Sequence, residues 1–270
     1  GTNNVCIGST AGDAITEGDY NVAVGDNALT TNTTADNNTA VGANALLANT
    51  TGGANTAVGL SALSSNTTAS SNTAVGNQAL AANTTAANLV AIGRGALESN
   101  TTGPYNTAVG YNCLDANTTG DYNTAVGHLA LTAETTGQAN DCFGYKAGAT
   151  ITTAASNVCV GSFSMDSGAA QTGGGNTAIG HASSRSLTSG YNNSACGLQT
   201  LYAISTGVNN TAIGANAGAN ITSGSNNQCI GTESGKANNP GGSITTASGQ
   251  IVVGNGDATN AHIQIDWTVA

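Results

Sequence analysis

The sequence predicts an all-β fold, a parallel β-solenoid or β-roll built from coils of 17 residues. The first observation behind this prediction is a glycine that recurs at a fixed spacing, which we call the marker glycine. It occupies Gly8, Gly25, Gly42, Gly59, Gly76, Gly93, Gly110, Gly127, Gly144, Gly161, Gly180, Gly197, Gly214, Gly231 and Gly254. The spacing is 17 residues except for one step of 19 and a last step of 23. Such a period is typical of a solenoid, in which each repeat stacks on the next.

The second observation is the pattern before the marker glycine, where Asn-Thr-Ala-Val-Gly is the commonest form. The residue directly before the glycine is mostly Val or Ile, the second before it is Ala or Cys with Val252 as the single larger exception, and the third is mostly Thr or Val. Because side chains alternate across a strand, the Val/Ile and Thr/Val columns share one face, and the Ala/Cys column takes the other. We expect the Val/Ile face inside the coil, against the Leu that lies four residues after the glycine.

The Ala/Cys column is then expected to face outward, where another copy of the chain covers it. The candidate residues of this inter-chain seam are Ala23, Ala40, Ala57, Ala74, Ala91, Ala108, Ala125, Cys142 and Cys159. Each coil offers few large apolar side chains, so the core of a single chain is thin. Packing around a symmetry axis would supply the missing burial. The alternative is a single-chain solenoid whose own second wall covers the Ala column.

Two columns of Asn are expected to form polar ladders along the coils. One lies four residues before the marker glycine, as at Asn21 and Asn38, where an amide can satisfy backbone groups of turns. The other belongs to Asn-Thr-Thr triplets, and from Ile151 onward Ile, Leu or Gly168 replaces its Asn. These triplets match the N-glycosylation pattern, but the structural interpretation is preferred. We divide the chain into a solenoid over 1–254 and a C-terminal capping or junction segment over 255–270.

Composition excludes several functions. The net charge is −10, and Arg94, Lys146, Arg185 and Lys236 are isolated from one another in the sequence. Nucleic-acid binding and attraction to anionic membranes both need clustered cations, so neither is expected. No apolar run approaches the ~20 residues that span a bilayer. The chain begins with Gly1 rather than Met, which is typical of a fragment or processed product, so a missing signal peptide says little.

The six cysteines are expected to be free, buried thiols rather than disulfides. Most of them substitute for small apolar residues of the repeat, as Cys142 and Cys159 do for Ala. These two lie on neighbouring coils, about 4.8 Å apart by strand spacing. In register, their Cβ atoms are too far apart for an unstrained disulfide.

The Asn-x-Ala-Val/Ile-Gly motif resembles the head repeats of trimeric autotransporter adhesins, the YadA-like family. Val90-Ala91-Ile92-Gly93 matches that family's Val-Ala-Ile-Gly motif. The resemblance implies a β-roll with three chains packed side by side, that is, a homotrimer. The family's repeat is shorter, at about 14 residues.

The end of the chain, His262 to Ala270, resembles the junction before an endosialidase-type intramolecular chaperone of phage tail fibres. That resemblance implies a chaperone partner during assembly, removed by self-cleavage just after a residue such as Ala270. It favours a fibre of a virion over a cell-anchored adhesin.

No credible active site is found, and no metal or cofactor is predicted. His128 and His181 share a column but lie three coils apart, roughly 14 Å by strand spacing, which is too far to share a metal. Asp19 and Asp36 stack on consecutive coils, where solvated loop acids are the preferred interpretation over a calcium site. The protein is therefore expected not to be an enzyme.

One concentration of aromatic side chains is the candidate site for a glycan or protein receptor. Its residues are Arg94, Tyr105, Tyr111, Tyr122, His128 and Tyr145. Flat rings beside hydrogen-bonding groups suit such contacts. The preferred interpretation is nevertheless that the rings stack along a ladder and stabilise neighbouring coils.

The preferred functional hypothesis is a structural trimeric fibre of a phage-like particle, used for host attachment as its shaft or receptor-binding region. Its location would be the virion tail fibre or another extracellular surface. A bacterial or algal surface adhesin is the first alternative. Ice binding is the second, because Thr33, Thr50 and Thr67 belong to a regular Thr column.

Overall fold

The computed structural model describes residues 1–236 and 242–257 of the 270-residue chain. Within these residues the protein contains fifteen three-residue strands and no α-helix. The strands are β1 (Val5–Ile7), β2 (Val22–Val24), β3 (Thr39–Val41), β4 (Thr56–Val58), β5 (Thr73–Val75), β6 (Val90–Ile92), β7 (Thr107–Val109), β8 (Thr124–Val126), β9 (Asp141–Phe143), β10 (Val158–Val160), β11 (Thr177–Ile179), β12 (Ser194–Cys196), β13 (Thr211–Ile213), β14 (Gln228–Ile230) and β15 (Ile251–Val253). They form one sheet in chain order. The predicted all-β parallel solenoid is confirmed.

The register of the sheet aligns equivalent residues of successive coils. Ala74 pairs with Ala91, and Ile92 pairs with Val109. All fourteen strand pairs are parallel, including the pairs across the 19-residue and 23-residue steps. The additional residues of the longer coils therefore lie in the segments between the strands. The resembled junction from His262 to Ala270, and most of the segment 255–270, lie outside the described residues.

The direction of the side chains on each strand is opposite to the prediction. Ala91, in the middle of β6, is fully buried in its own chain, whereas Ile92 beside it is 41% exposed. The same holds along the sheet, and every residue predicted to form an outward seam is fully buried: Ala23, Ala40, Ala57, Ala74, Ala91, Ala108, Ala125, Cys142 and Cys159. Their assignment to an inter-chain seam is wrong. The interior has room only for a small residue there, because the Leu column and both Asn columns already fill it.

Two amide ladders run through the interior of the solenoid. In the first, the side-chain carbonyl of Asn21 accepts from the backbone N–H of Asn38 at 2.9 Å, and its Nδ2 donates to the carbonyl oxygen of Ala35 at 2.9 Å. In the second, Asn66 Nδ2 donates to Asn49 Oδ1 at 2.8 Å. These Asn side chains are fully buried, so the structural interpretation of the Asn-Thr-Thr triplets is confirmed. Each amide satisfies buried backbone groups that would otherwise lose their hydrogen bonds.

The second ladder ends at a buried carboxyl group. Glu134 occupies the ladder position after Asn117, and Ile151 occupies the next. Later coils place Leu187 or Ile204 there, both fully buried. In the 19-residue coil the position belongs to Gln171, which bridges to Ile151, and not to Gly168 as predicted. The additional residues of this coil lie before Gln171. Counting seven residues from the marker glycine Gly161 therefore gives Gly168 and not the residue that occupies the ladder position.

Gln171 is a buried amide in an apolar stack. It is fully buried, and neither Nε2 nor Oε1 has a hydrogen-bond partner among the described residues. We expect Gln171→Leu, which copies Leu187 of the next coil, to raise the free energy of unfolding by about 1–3 kcal/mol, because an unsatisfied buried amide is removed. Urea unfolding measures this. Gln171→Asn keeps a buried amide and should give no gain; an equal gain from both variants would contradict the explanation.

The cysteines are free, as predicted, but they are not all buried. Cys113, Cys142, Cys159 and Cys229 lie in the interior, while Cys6 and Cys196 are exposed. Cys196 is exposed because it replaces Val or Ile in the outward column. Burial raises the pKa of Cys113 to about 12 and that of Cys229 to about 11. These two interior thiols therefore stay protonated and act as small apolar side chains.

Candidate functional site

Four of the predicted contact residues form a continuous ladder on the surface. Arg94 donates from Nη1 to the Tyr111 hydroxyl at 2.8 Å, and its guanidinium carbon lies 5.4 Å from the centre of that ring. Tyr111 stacks on His128 with ring centres 5.1 Å apart, and His128 lies 5.4 Å from Tyr145. The parallel register places each ring above the next. We call this set, with its extension below, the aromatic ladder.

The ladder extends further than the sequence predicted. Phe163 meets Tyr145 edge-on with ring centres 5.1 Å apart, and His181 follows Phe163 at 5.9 Å. Phe163 was missed because it lies two residues after its marker glycine rather than one. A search for aromatics within one residue of the column would have found it. His128 and His181, which lie in one column, are not in direct ring contact; Tyr145 and Phe163 lie between them.

Tyr105 and Tyr122 form a second, separate stack. Their ring centres are 5.0 Å apart with 11° between the planes. The side chains are 49% and 59% exposed, so the stack offers ring surface to solvent. Within the described residues no ring contact joins this pair to the aromatic ladder. The six predicted contact residues are therefore two groups rather than one site.

A surface cavity of about 430 Å³ lies beside the end of the aromatic ladder. It is lined by Lys146, Asp166, Ser167, Gly168, Arg185, Ser186 and Tyr202. Asp166, Arg185 and Tyr202 each lie five residues after their marker glycine, so they come from three consecutive coils. Lys146 and Arg185, which were predicted to be isolated from each other, line the same cavity.

The outward Val/Ile column forms a stripe of apolar surface along the whole sheet. We call it the apolar ribbon. Its most exposed members, at 36–61% exposure, are Ile7, Val58, Ile92, Phe143, Val160, Ile179, Ile213, Ile230 and Val253. The Thr/Val column lies beside it on the same face, as at Thr73 and Thr107. Contiguous apolar surface of this length is uncommon on monomeric proteins and indicates an interaction surface.

The carboxylates form no metal-binding cluster in the described part of the chain. No group of three His, Cys, Asp or Glu side chains could hold a metal ion there. Asp36 Oδ1 accepts from the backbone N–H of Asp19 at 2.7 Å. Asp19 in turn accepts from the backbone N–H and the hydroxyl of Thr2, and these two hydrogen bonds hold the pKa of Asp19 below its usual value. Both acids therefore bond to the neighbouring coil, as loop acids do.

Glu134 is the one carboxyl group found fully buried among the described residues. It accepts hydrogen bonds from the backbone N–H of Gly137 and, at 3.4 Å, from Asn140 Nδ2. Burial nevertheless raises its pKa to about 7. It lies inside the amide ladder, away from any surface where a substrate could reach it, so its role is structural.

In residues 1–236 and 242–257, no helix is long and apolar enough to cross a membrane. The surface features of the chain are thus an aromatic ladder, a tyrosine pair, a cavity with two cations and an apolar ribbon. Comparison with protein-family models, with curated proteins and with solved structures gave no match.

Proposed function

We propose that the chain is a structural fibre segment of a phage-like particle, assembled as a side-by-side homotrimer and used for host attachment. The observation that carries the proposal is the apolar ribbon. It runs the length of the sheet, and each strand adds one outward Val, Ile or similar residue to it. Three ribbons meeting at a common axis would remove this surface from water. In this trimer the Val/Ile column, and not the buried Ala/Cys column, would make the inter-chain contact.

Shape and composition also support a fibre. Fifteen stacked strands give a rod of about 70 Å. The Val/Ile column itself contains no charged residue, so no like charges meet where three ribbons would pack. Backbone hydrogen bonds join every coil to the next, as between Gly93 and Val75 at 2.8 Å. Such a rod is suited to carrying a binding site away from a particle. The aromatic ladder, the tyrosine pair and the cavity are candidate receptor contacts on it.

The oligomeric state tests the proposal. We expect light scattering to give a mass near three times the 26.1 kDa of the chain. Ile92→Asp should convert the trimer to monomer or weaken it strongly, because three carboxylates would be buried near one axis at a cost of several kcal/mol each. Thr102→Asp is the matched control, since it adds the same charge at an exposed position outside the ribbon. A monomeric parent chain would overturn the proposal.

Ice binding is the second candidate, and the same face of the sheet favours it. The outward Thr column, as at Thr39, Thr56 and Thr73, repeats at the strand spacing of about 4.8 Å beside the Val/Ile column. The other Thr column is less suitable, because Thr67 Oγ1 donates to the carbonyl oxygen of Thr84 at 3.2 Å. Thermal hysteresis from a monomeric protein would favour ice binding. A trimer would cover the face and exclude that use.

A further inference from the structure

The cavity beside the aromatic ladder forms where the repeat is interrupted. In a 17-residue coil two residues separate the buried Leu from the residue of the second ladder. In the 19-residue coil Met165 takes the Leu position and Gln171 the ladder position, and the residues 166–170 lie between them. These additional residues bulge from the coil and form one wall of the cavity. Gly168 in the bulge has φ of +73°, with open space around it. The cavity is therefore a feature of this irregular coil and not of the repeat.

The two cations of the cavity have no carboxylate within ion-pair distance among the described residues. Lys146 and Arg185 are two of the four Lys and Arg residues of the sequence. The ion pair found in the described residues joins Lys236 and Glu233, and neither cavity cation takes part in it. The Arg185 guanidinium carbon lies 5.1 Å from the centre of the Phe163 ring, and Lys146 Nζ lies 5.8 Å from the centre of the Tyr145 ring. Rings hold both cations in place and leave their charge available for an anion.

The rest of the lining suits a hydroxylated ligand. Ser186 and the Tyr202 hydroxyl can each donate or accept a hydrogen bond, and Asp166 accepts from hydroxyl groups. The Ser167 hydroxyl instead donates to the Ala169 carbonyl oxygen at 2.8 Å within the bulge. The Tyr202 ring offers a flat apolar surface beside them. A volume of about 430 Å³ lies in the range of small-ligand sites. The combination of two cations, several hydroxyls and a ring matches a sugar that carries a negative charge.

We infer that this cavity binds an anionic sugar, with Lys146 and Arg185 at its carboxylate or sulfate group. Arg185 can meet such a group with two parallel hydrogen bonds, and Lys146 adds a second positive charge. Ser186 and Asp166 would bond the sugar hydroxyls, and Tyr202 would contact the apolar face of its ring. The inference deepens the proposed function and rests on it, because it names the chemistry of the host receptor.

Isothermal titration calorimetry of the intact chain with sodium glucuronate, glucose 6-sulfate, glucose and inorganic sulfate tests the inference. We expect one or both anionic sugars to bind at least tenfold more tightly than glucose and than inorganic sulfate. The better of the two identifies the charged group. If neither anionic sugar binds, or if inorganic sulfate binds as tightly as the better of the two sugars, the inference is overturned.

Variants assign the binding to the cavity. Arg185→Gln and Lys146→Gln should each weaken binding of the preferred sugar by about tenfold or more, because each removes a charge-assisted hydrogen bond. Lys236→Gln is the matched control, since it also removes one positive charge but lies outside both the cavity and the aromatic ladder. An equal loss in the control would overturn the assignment. Light scattering of the same samples reports the trimer separately, so failure of the fibre proposal and failure of sugar binding are distinguishable.

Discussion

Replacing Gly93 by Ala should disrupt the solenoid between β6 and β7. Gly93 has φ of +134°, a backbone conformation that residues with a Cβ rarely adopt. An added Cβ would also lie 2.6 Å from the carbonyl carbon of Gly110 on the next coil, and closer still to its oxygen. The marker glycines from Gly8 to Gly214 all pack in this way against the next, so the clash is relieved only by separating coils. We expect a loss of about 4 kcal/mol or more in the free energy of unfolding.

Gly53→Ala is the matched control for this substitution. Gly53 lies six residues before its marker glycine, where Ala87 occurs naturally two coils later. Its added Cβ would meet the Asp36 carbonyl oxygen at 3.1 Å, a contact that a small shift relieves. The change should stay within about 0.5 kcal/mol. Urea unfolding measures both variants, and hydrogen exchange locates the opening. Equal stabilities would show that the marker glycine is not required by its conformation.

The 17-residue period was sufficient to predict the fold. The residues Val90, Ala91 and Ile92 form a strand where the pattern places one, because every copy repeats the same local geometry. Stacking of identical units then sets the register without further information. The two amide ladders follow from the same reasoning, since a buried Asn in each copy finds the next copy as its partner.

Which face of the strand lies inside could not be decided from alternation alone. Alternation places Ala91 on one face of the strand and Val90 with Ile92 on the other, but it does not say which face points to the interior. Large apolar residues are usually inside, and that rule misled the prediction here. The interior of a narrow coil is already occupied by Leu97 and two Asn columns, so only a small side chain fits at Ala91. The cross-section of the coil, which depends on the fold of the loops, decided the outcome.

The cavity was not predicted for a related reason. The 19-residue step is visible in the sequence, but its extra length could lie anywhere between Gly161 and Gly180. Its position became clear only from the pairing of Gln171 with Ile151. Lys146 and Arg185 are 39 positions apart in the sequence and belong to different columns, so no periodic pattern connects them. Irregular features of a repeat protein are those that its period cannot predict.

The stability of the protein should fall as the pH rises through the titration of Glu134. The pKa of this carboxyl group is about 7 in the folded chain, against 4.5 for an ordinary Glu. Between these values the folded state holds a proton that the unfolded state has released. The contribution of Glu134 to the free energy of unfolding therefore decreases from pH 4.5 to pH 7 and is constant above pH 7. The difference between the two pKa values corresponds to about 3 kcal/mol.

Glu134→Asn should remove this loss and stabilise the protein at pH 8. Asn is the residue of the preceding coils, where Asn117 Nδ2 donates to Asn100 Oδ1 at 2.8 Å and to the Gly120 carbonyl oxygen at 3.0 Å. The variant can make the same bonds to Asn117 and Gly137 without a buried charge. Glu134→Gln keeps the length of the side chain and should remove the pH dependence as well. Urea unfolding at pH 4, 6 and 8 compares the three proteins, and the difference between variant and parent cancels the contribution of the other acids. A constant difference across this range would mean that the pKa of Glu134 is the same in the folded and the unfolded chain, with the Gly137 N–H and Asn140 compensating the effect of burial.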